Sequence, residues 1–199
     1  GGVHTYLRDP CRISITLRPT DQFEVHKIIK GLKNKSTLDT KVEAVKIANT
    51  SFTFTNTLAK IINSSFLQGI FPQDLKLARV TPIHKEGAKN DVTNYRPISL
   101  LSVFSKVYEK IMHNRVLDFL NNNNLLYEMQ FGFRPGRSCE HAILQAQEHI
   151  LDTLNKKQIA LLLLIDFSKA FDIVEHPILL HKLYHLGIRG MALKWFESY

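Results

Sequence analysis

A chain of 199 residues, 44% of them hydrophobic, is long enough for one domain or one and a part, with a buried core. Its 26 Lys and Arg against 18 Asp and Glu leave a net charge of +8, which suits a polyanionic partner such as nucleic acid without requiring one. Two cysteines, Cys11 and Cys139, rule out a disulfide framework or a cysteine-only zinc site, and no apolar run reaches membrane length.

Residues 1–20 carry little pattern, although Arg12 to Leu17 alternates polar and apolar as an edge strand or an extended arm would. Asp21 with Glu24 three residues on marks a helix start. Val25, Ile28, Ile29 and Leu32 then form one helical face, with Gly31 near its end. Lys33–Thr40 reads as a polar, basic loop and Val42–Ala48 as a short helix. Leu58, Ile61, Ile62 and Phe66 repeat at helical spacing up to Gly69, and Pro72 opens a short turn toward Lys76. These helical faces read as core packing rather than as sites.

Ala78–His84 reads as a short strand, with Pro82 placing it at a sheet edge. Lys85–Thr93 forms a polar hairpin tip and Asn94–Ser99 the return strand. Lys85 and Arg96, on the two sides of that tip, are either a clamp for a phosphate chain or two solvated loop cations. Val103–Leu120 is a long amphipathic helix ended by Asn121–Asn124. Gln130–Ser138 follows, with two arginines, two aromatics and two glycines in nine residues. Such a backbone can approach a ligand closely, and its side chains suit phosphates and stacked bases. Ser138 caps a helix over Cys139–Leu154, whose face is Ile143, Ala146, Ile150 and Leu154.

The stretch that organises the rest is Gln158–His176. Seven apolar residues, Ile159–Ile165, run unbroken into Asp166. The run is a strand buried in mid-sheet or a buried helix; β-branched residues at its ends and the Lys156-Lys157 turn before it favour the strand. Asp166 would then sit at the strand's carboxyl end, where open α/β sheets place their chemistry. It is read as a cation ligand or, more plainly, as a salt-bridged or helix-capping carboxylate. Pro177 opens a helix that ends at Gly187. His181 and His185, near His176, raise a zinc question, but no third ligand of suitable spacing follows. The chain begins Gly-Gly and stops inside what reads as a new helix, the pattern of a fragment.

Six stretches, in order and at their spacing, carry a resemblance: Gly69–Lys76, Ala78–Lys85, Asn94–Leu101, Lys106–Glu109, Gln130–Arg134 and Asp166–Asp172. Together they resemble the reverse transcriptase of non-LTR (LINE-type), Jockey-like retrotransposons. The resemblance implies an α/β fold: helical fingers with a β-hairpin, then the first strand and helix of a polymerase palm. On that basis residues 1–20 form an N-terminal arm, 21–157 the fingers and 158–199 the start of an incomplete palm. The helices 103–120 and 138–154 are expected beside the hairpin, and an unpaired palm strand would leave the chain prone to association.

The same resemblance implies roles. Asp166 matches the first metal-binding aspartate of a two-Mg2+ site, with Phe167 adding its backbone carbonyl. Lys85 and Arg96 match the cations that hold an incoming triphosphate. Phe171 matches the ring that blocks a ribose 2′-hydroxyl and so selects deoxynucleotides, while Asp172 reads as structural. Gln130, Gly132, Arg134 and Arg137 would lie along the template. The implied partners are an RNA template, a DNA primer and deoxynucleoside triphosphates, with no membrane, in cytoplasm and nucleus. Two departures matter. Lys35-Ser36-Thr37-Leu38-Asp39 lacks the family's glycine, and the aromatic-Ala-Asp-Asp hairpin that supplies the second carboxylate pair occurs nowhere in these residues. One carboxylate does not hold two divalent ions, so the chain is expected to be inactive alone. A non-catalytic RNA-binding module derived from a degenerate reverse transcriptase is the alternative.

Overall fold

The computed structural model describes residues 10–32, 52–167 and 170–199. The expected loop Lys33–Thr40, its Lys35–Asp39 turn and the short helix Val42–Ala48 lie outside these. The described residues fall into two compact units: those of Gly1–Phe119 with Pro177–Tyr199, and Leu120–His176.

The first unit holds helices α1 (Gln22–Gly31), α2 (Phe52–Gln68) and most of α3 (Val103–Asn122), a hairpin of β1 (Arg79–His84) and β2 (Tyr95–Leu100), and the C-terminal helices. Of these, α5 spans His176–His185 and α6 spans Met191–Ser198, while α4 (Cys139–Asn155) belongs to the second unit. Helix α1 starts where Asp21 accepts the Glu24 N–H at 2.8 Å. Val25 and Ile29 of α1 meet Leu58, Ala59, Ile62 and Phe66 of α2 and Val103, Val107, Tyr108, Ile111 and Met112 of α3 in one buried cluster. The positions that recur at helical spacing in the sequence are thus the ones that pack, except Ile61, which stays half exposed.

Helix α6 closes this core. Trp195 is buried, donates its indole N–H to Ser65 Oγ at 3.1 Å, and stacks on Tyr199 at 5.5 Å. Phe71 meets the rings of Trp195, Tyr108 and Tyr199 edge-on. Burial pushes the Tyr199 phenol up to about 12, and its hydroxyl donates to Glu109 at 3.0 Å. Gly69, at φ +67°, ends α2 where an added Cβ would lie 2.8 Å from Lys194 Cβ of α6.

The described part of the arm, from residue 10 on, is fastened along its length. Cys11 N–H donates to the His185 carbonyl and Ile15 N–H to that of Gly187, each at 2.9 Å. A Cβ at Gly187, φ +95°, would fall 2.3 Å from the Ile13 carbonyl, so the approach needs glycine on both counts. Further along, Arg115 of α3 is buried and forms a forked ion pair with Glu24 (Nη1–Oε1 2.8 Å, Nη2–Oε2 2.5 Å). It also donates to the carbonyls of Arg18 at 3.0 Å and Pro19 at 3.2 Å. Thr20 donates its hydroxyl to Glu24 and exchanges two backbone bonds with the Asn63 amide of α2. Glu24 therefore does not complete a capping box; Arg115 takes its carboxylate instead, a stronger partner than the cap N–H.

None of the described residues of the second unit is buried. Asn124, left-handed at φ 52°, ends α3, and Leu125 N–H returns to the Leu120 carbonyl at 2.9 Å. Ser138 caps α4 as expected, but of the face Ile143, Ala146, Ile150 and Leu154 the first and last are exposed and the middle two only half-buried, with Leu144 and Leu151 exposed beside them. Between them the 123–138 loop is braced from within. Arg134 donates to the Tyr127 carbonyl at 3.0 Å and Arg137 to that of Glu128, while the Arg137 guanidinium lies 5.2 Å from the Phe131 ring centre.

The largest correction concerns Ile159–Ile165. The mixed α/β class holds, but the expected buried strand is not formed: these residues have no regular structure, and Ile159 and Leu161 are 96% and 94% exposed. A strand exists only where a neighbour accepts its ladder, and the hairpin is the sole sheet among the described residues. No helix of the described residues is long and apolar enough to cross a membrane.

Arg115→Ala, which strands a largely buried carboxylate, is expected to lower the unfolding free energy by about 3 kcal/mol in urea denaturation. The Glu24 carboxyl is held below its usual range by the Arg115 guanidinium. Its contribution is thus fully present above the ordinary glutamate range and lost as pH falls through its folded value. Glu109, raised by burial, has the opposite sign and offsets part of that loss. Glu24→Gln is expected to flatten the acid limb of a stability profile measured from pH 7 to 3. In the second unit, Arg134→Ala with Arg137→Ala is expected to speed amide exchange across 127–137 while leaving α1 to α3 unchanged.

Candidate active site

The hairpin carries the first two candidate residues. Its register pairs Ile83 with Arg96 and His84 with Tyr95, and the Lys85 N–H extends the ladder to the Asn94 carbonyl at 2.8 Å. Residues directly opposite each other share a face, as do residues two apart along a strand. Arg79, Thr81, Ile83 and Lys85 therefore lie on one face with Asn94, Arg96 and Ile98. Lys85 and Arg96 are diagonal neighbours there. The Lys85 side chain is half exposed and pairs with the more open Glu86 at 3.1 Å, a contact worth little in water and readily exchanged for another anion.

The tip is stiff. Asn94 donates its amide to the Ala88 carbonyl at 3.0 Å and the Tyr95 hydroxyl donates to that of Lys89 at 2.9 Å. Asp91 accepts from the Thr93 N–H and hydroxyl, which hold its carboxyl below the usual range. Pro82 stands opposite Pro97. Because Lys85 and Asn94 form a hydrogen-bonded pair, alternation makes Pro82 and Pro97 a non-bonded one, with each missing N–H on an outer edge. Both strands are then blunted against a third, as the position of Pro82 in the sequence suggested. The hairpin's roots are fixed as well: Ser105 of α3 donates to the Leu75 carbonyl at 2.6 Å, and Ser102 caps α3 two residues after β2.

The remaining candidates lie in the second unit. Gln130 donates its amide to the Gly132 carbonyl at 3.2 Å, and Arg134 and Arg137 each use one donor on the loop's own carbonyls. A guanidinium has five donors, so both retain others for a phosphate. Asp166, Phe167 and Phe171 are exposed. Phe171 meets Phe133 edge-to-face, with centroids 5.9 Å apart and planes at 90°. Among the described residues no three His, Cys, Asp or Glu side chains cluster closely enough to hold a metal ion. The expected metal ligands, Asp166 and the Phe167 carbonyl, therefore stand outside any such cluster.

Two features escaped the sequence reading. Arg115 falls on the apolar stripe of α3, four residues after Ile111 and eight after Val107, and a cation on such a stripe is itself a signal of a buried partner. Phe133 had no such signal, since its partner is 38 residues away.

Comparison with known proteins supplies the context for this arrangement. Residues 83–199 match the family described as reverse transcriptase (RNA-dependent DNA polymerase). The chain is similar to the probable RNA-directed DNA polymerase from transposon BS of Drosophila melanogaster, at 31% identity over 184 residues, 89% of this chain and 20% of that protein. It is also similar to the RNA-directed DNA polymerase from mobile element jockey of the same species, at 32% over 186 residues, 90% of this chain and 20% of that one. The jockey protein of Drosophila funebris gives 30% over 182 residues, 88% and 19%. The chain thus spans about a fifth of the length of these relatives. The family match takes in more than half of the chain and every candidate residue from Lys85 to Phe171, and the chain belongs to the reverse transcriptase family.

Proposed function

We propose that this chain is the nucleotide- and template-handling part of an RNA-directed DNA polymerase of a non-LTR retrotransposon, acting in cytoplasm and nucleus. The observation that carries the reading is the hairpin register, which sets Lys85 and Arg96 side by side on one face inside the family match. Two cations so placed would neutralise a deoxynucleoside triphosphate's phosphate oxygens. Phe171 would exclude a ribose 2′-hydroxyl. Gln130, Gly132, Arg134 and Arg137 would follow the RNA template, with the DNA primer ending near Asp166. The functional partition into arm, fingers and incomplete palm, at 1–20, 21–157 and 158–199, belongs to this reading and does not coincide with the two compact units.

The family is in general metal-dependent. Asp166 and the Phe167 carbonyl would contribute one carboxylate and one carbonyl to a magnesium site. Among the described residues no three His, Cys, Asp or Glu side chains gather into a metal site, and no catalytic step is assigned to this chain alone. The exposed run Ile159–Ile165 has the composition of a mid-sheet strand and would pair with further palm strands.

Primer extension tests this. In a complete polymerase polypeptide carrying these residues, Lys85→Ala and Arg96→Ala are each expected to raise KM for deoxynucleotides about tenfold, the size of one charge-assisted hydrogen bond. Asp166→Asn is expected to abolish incorporation, and the 199-residue chain alone should extend no primer on a homopolymer template. Retained extension in Asp166→Asn would overturn the reading. A complete polypeptide that binds RNA with a steep salt dependence yet never extends a primer would establish the non-catalytic RNA-binding alternative instead.

A further inference from the structure

Phe133 is in a costly state. Its backbone is left-handed, at φ 59°, where a side chain with a Cβ is disfavoured, and the residue is 89% exposed. The loop on either side fixes this conformation. Before it, the Gln130 amide donates to the Gly132 carbonyl. After it, Arg134 and Arg137 fasten the chain to Tyr127 and Glu128. The loop sets the Phe133 ring perpendicular to that of Phe171, with centroids 5.9 Å apart. Phe171 is itself 78% exposed and sits in a turn outside any helix or strand. Phe133 is the one aromatic partner recorded for it among the described residues.

We propose that Phe133 is the positioning residue for the Phe171 ring and so sets how sharply the site separates deoxynucleotides from ribonucleotides. The inference rests on the reading of Phe171 as the ring that meets the sugar. A steric block discriminates only while it cannot swing aside. An exposed phenylalanine on a turn has open rotamers, and a perpendicular neighbour on a braced loop removes those that would admit a 2′-hydroxyl. Phe133 touches neither substrate nor reacting atoms in this scheme; it acts through Phe171.

The test is the ratio of kcat/KM for deoxynucleotides to that for ribonucleotides in a complete polymerase polypeptide. Phe133→Ala is expected to lower the ratio about fivefold, the weight of one edge-to-face pair, mainly through faster ribonucleotide use. Deoxynucleotide kcat/KM should stay within about twofold. Phe133→Tyr, which keeps the ring, should match the wild type. Phe133→Leu, which keeps bulk without an aromatic edge, should behave like Phe133→Ala and replaces it if that variant folds poorly. The double variant Phe133→Ala/Phe171→Ala should equal Phe171→Ala alone, because the two act as one unit. A ratio unchanged in Phe133→Ala and Phe133→Leu, or effects that multiply in the double variant, would overturn the proposal. If Phe171→Ala leaves the ratio unchanged while extension persists, the sugar-contact reading fails and the proposal with it. That outcome is distinct from a wild type that extends nothing, which would remove the polymerase reading itself.

Discussion

The forked ion pair between Arg115 and Glu24 is the contact on which the first unit turns. It lies largely out of water and joins helices α1 and α3, while the same guanidinium grips the carbonyls of Arg18 and Pro19. Through Thr20 and Asn63 the network reaches α2 as well. A buried pair of this kind adds little net stability over an apolar substitute, but removing one partner is severe. Its effect is to fix where α3 lies, and α3 supports the hairpin. At its far end Ser102 and Ser105 fasten the hairpin's roots, so the face bearing Lys85 and Arg96 is carried on an element held at both ends.

The two units differ in what they bury. The first closes around a core from three helices and completes it with residues from the other end of the chain: Trp195, Phe71 and Tyr199 interlock edge-on and face-on. The second has helices with sound caps and turns but no buried residue among those described. Its order is local: a Ser cap, left-handed Asn124 and Lys157 at two helix ends, and arginines folded onto neighbouring carbonyls. Such a unit presents apolar side chains rather than hiding them. The stretch Ile159–Ile165 together with the α4 face is the kind of surface that polypeptide elsewhere covers.

The proposed site residues divide between the two units as well. The cationic face of the hairpin stands on the well-packed unit, an arrangement that would suit the proposed grip on a charged ligand. Asp166 and Phe171 stand on the open one, where the Phe133 ring is the aromatic partner of Phe171 among the described residues. The family match covers both.

The sequence by itself determined the elements that depend on near neighbours. Helical periodicity marked Val25, Ile29, Leu58, Ile62, Val107 and Ile111 as core, Asp21 and Ser138 as caps, and the two strands with their polar tip as a hairpin. These follow from bonds between residues close in sequence, so the pattern alone specifies them. The order and spacing of the six stretches likewise gave the family. Tertiary structure decided what depends on distant partners: that Glu24 serves Arg115 rather than its own helix cap, that the C-terminal helix completes the first core, and that Phe133 meets Phe171. It also decided that Ile159–Ile165 stays unpaired, because an apolar run states that it should be buried but not whether a neighbouring strand is present to bury it.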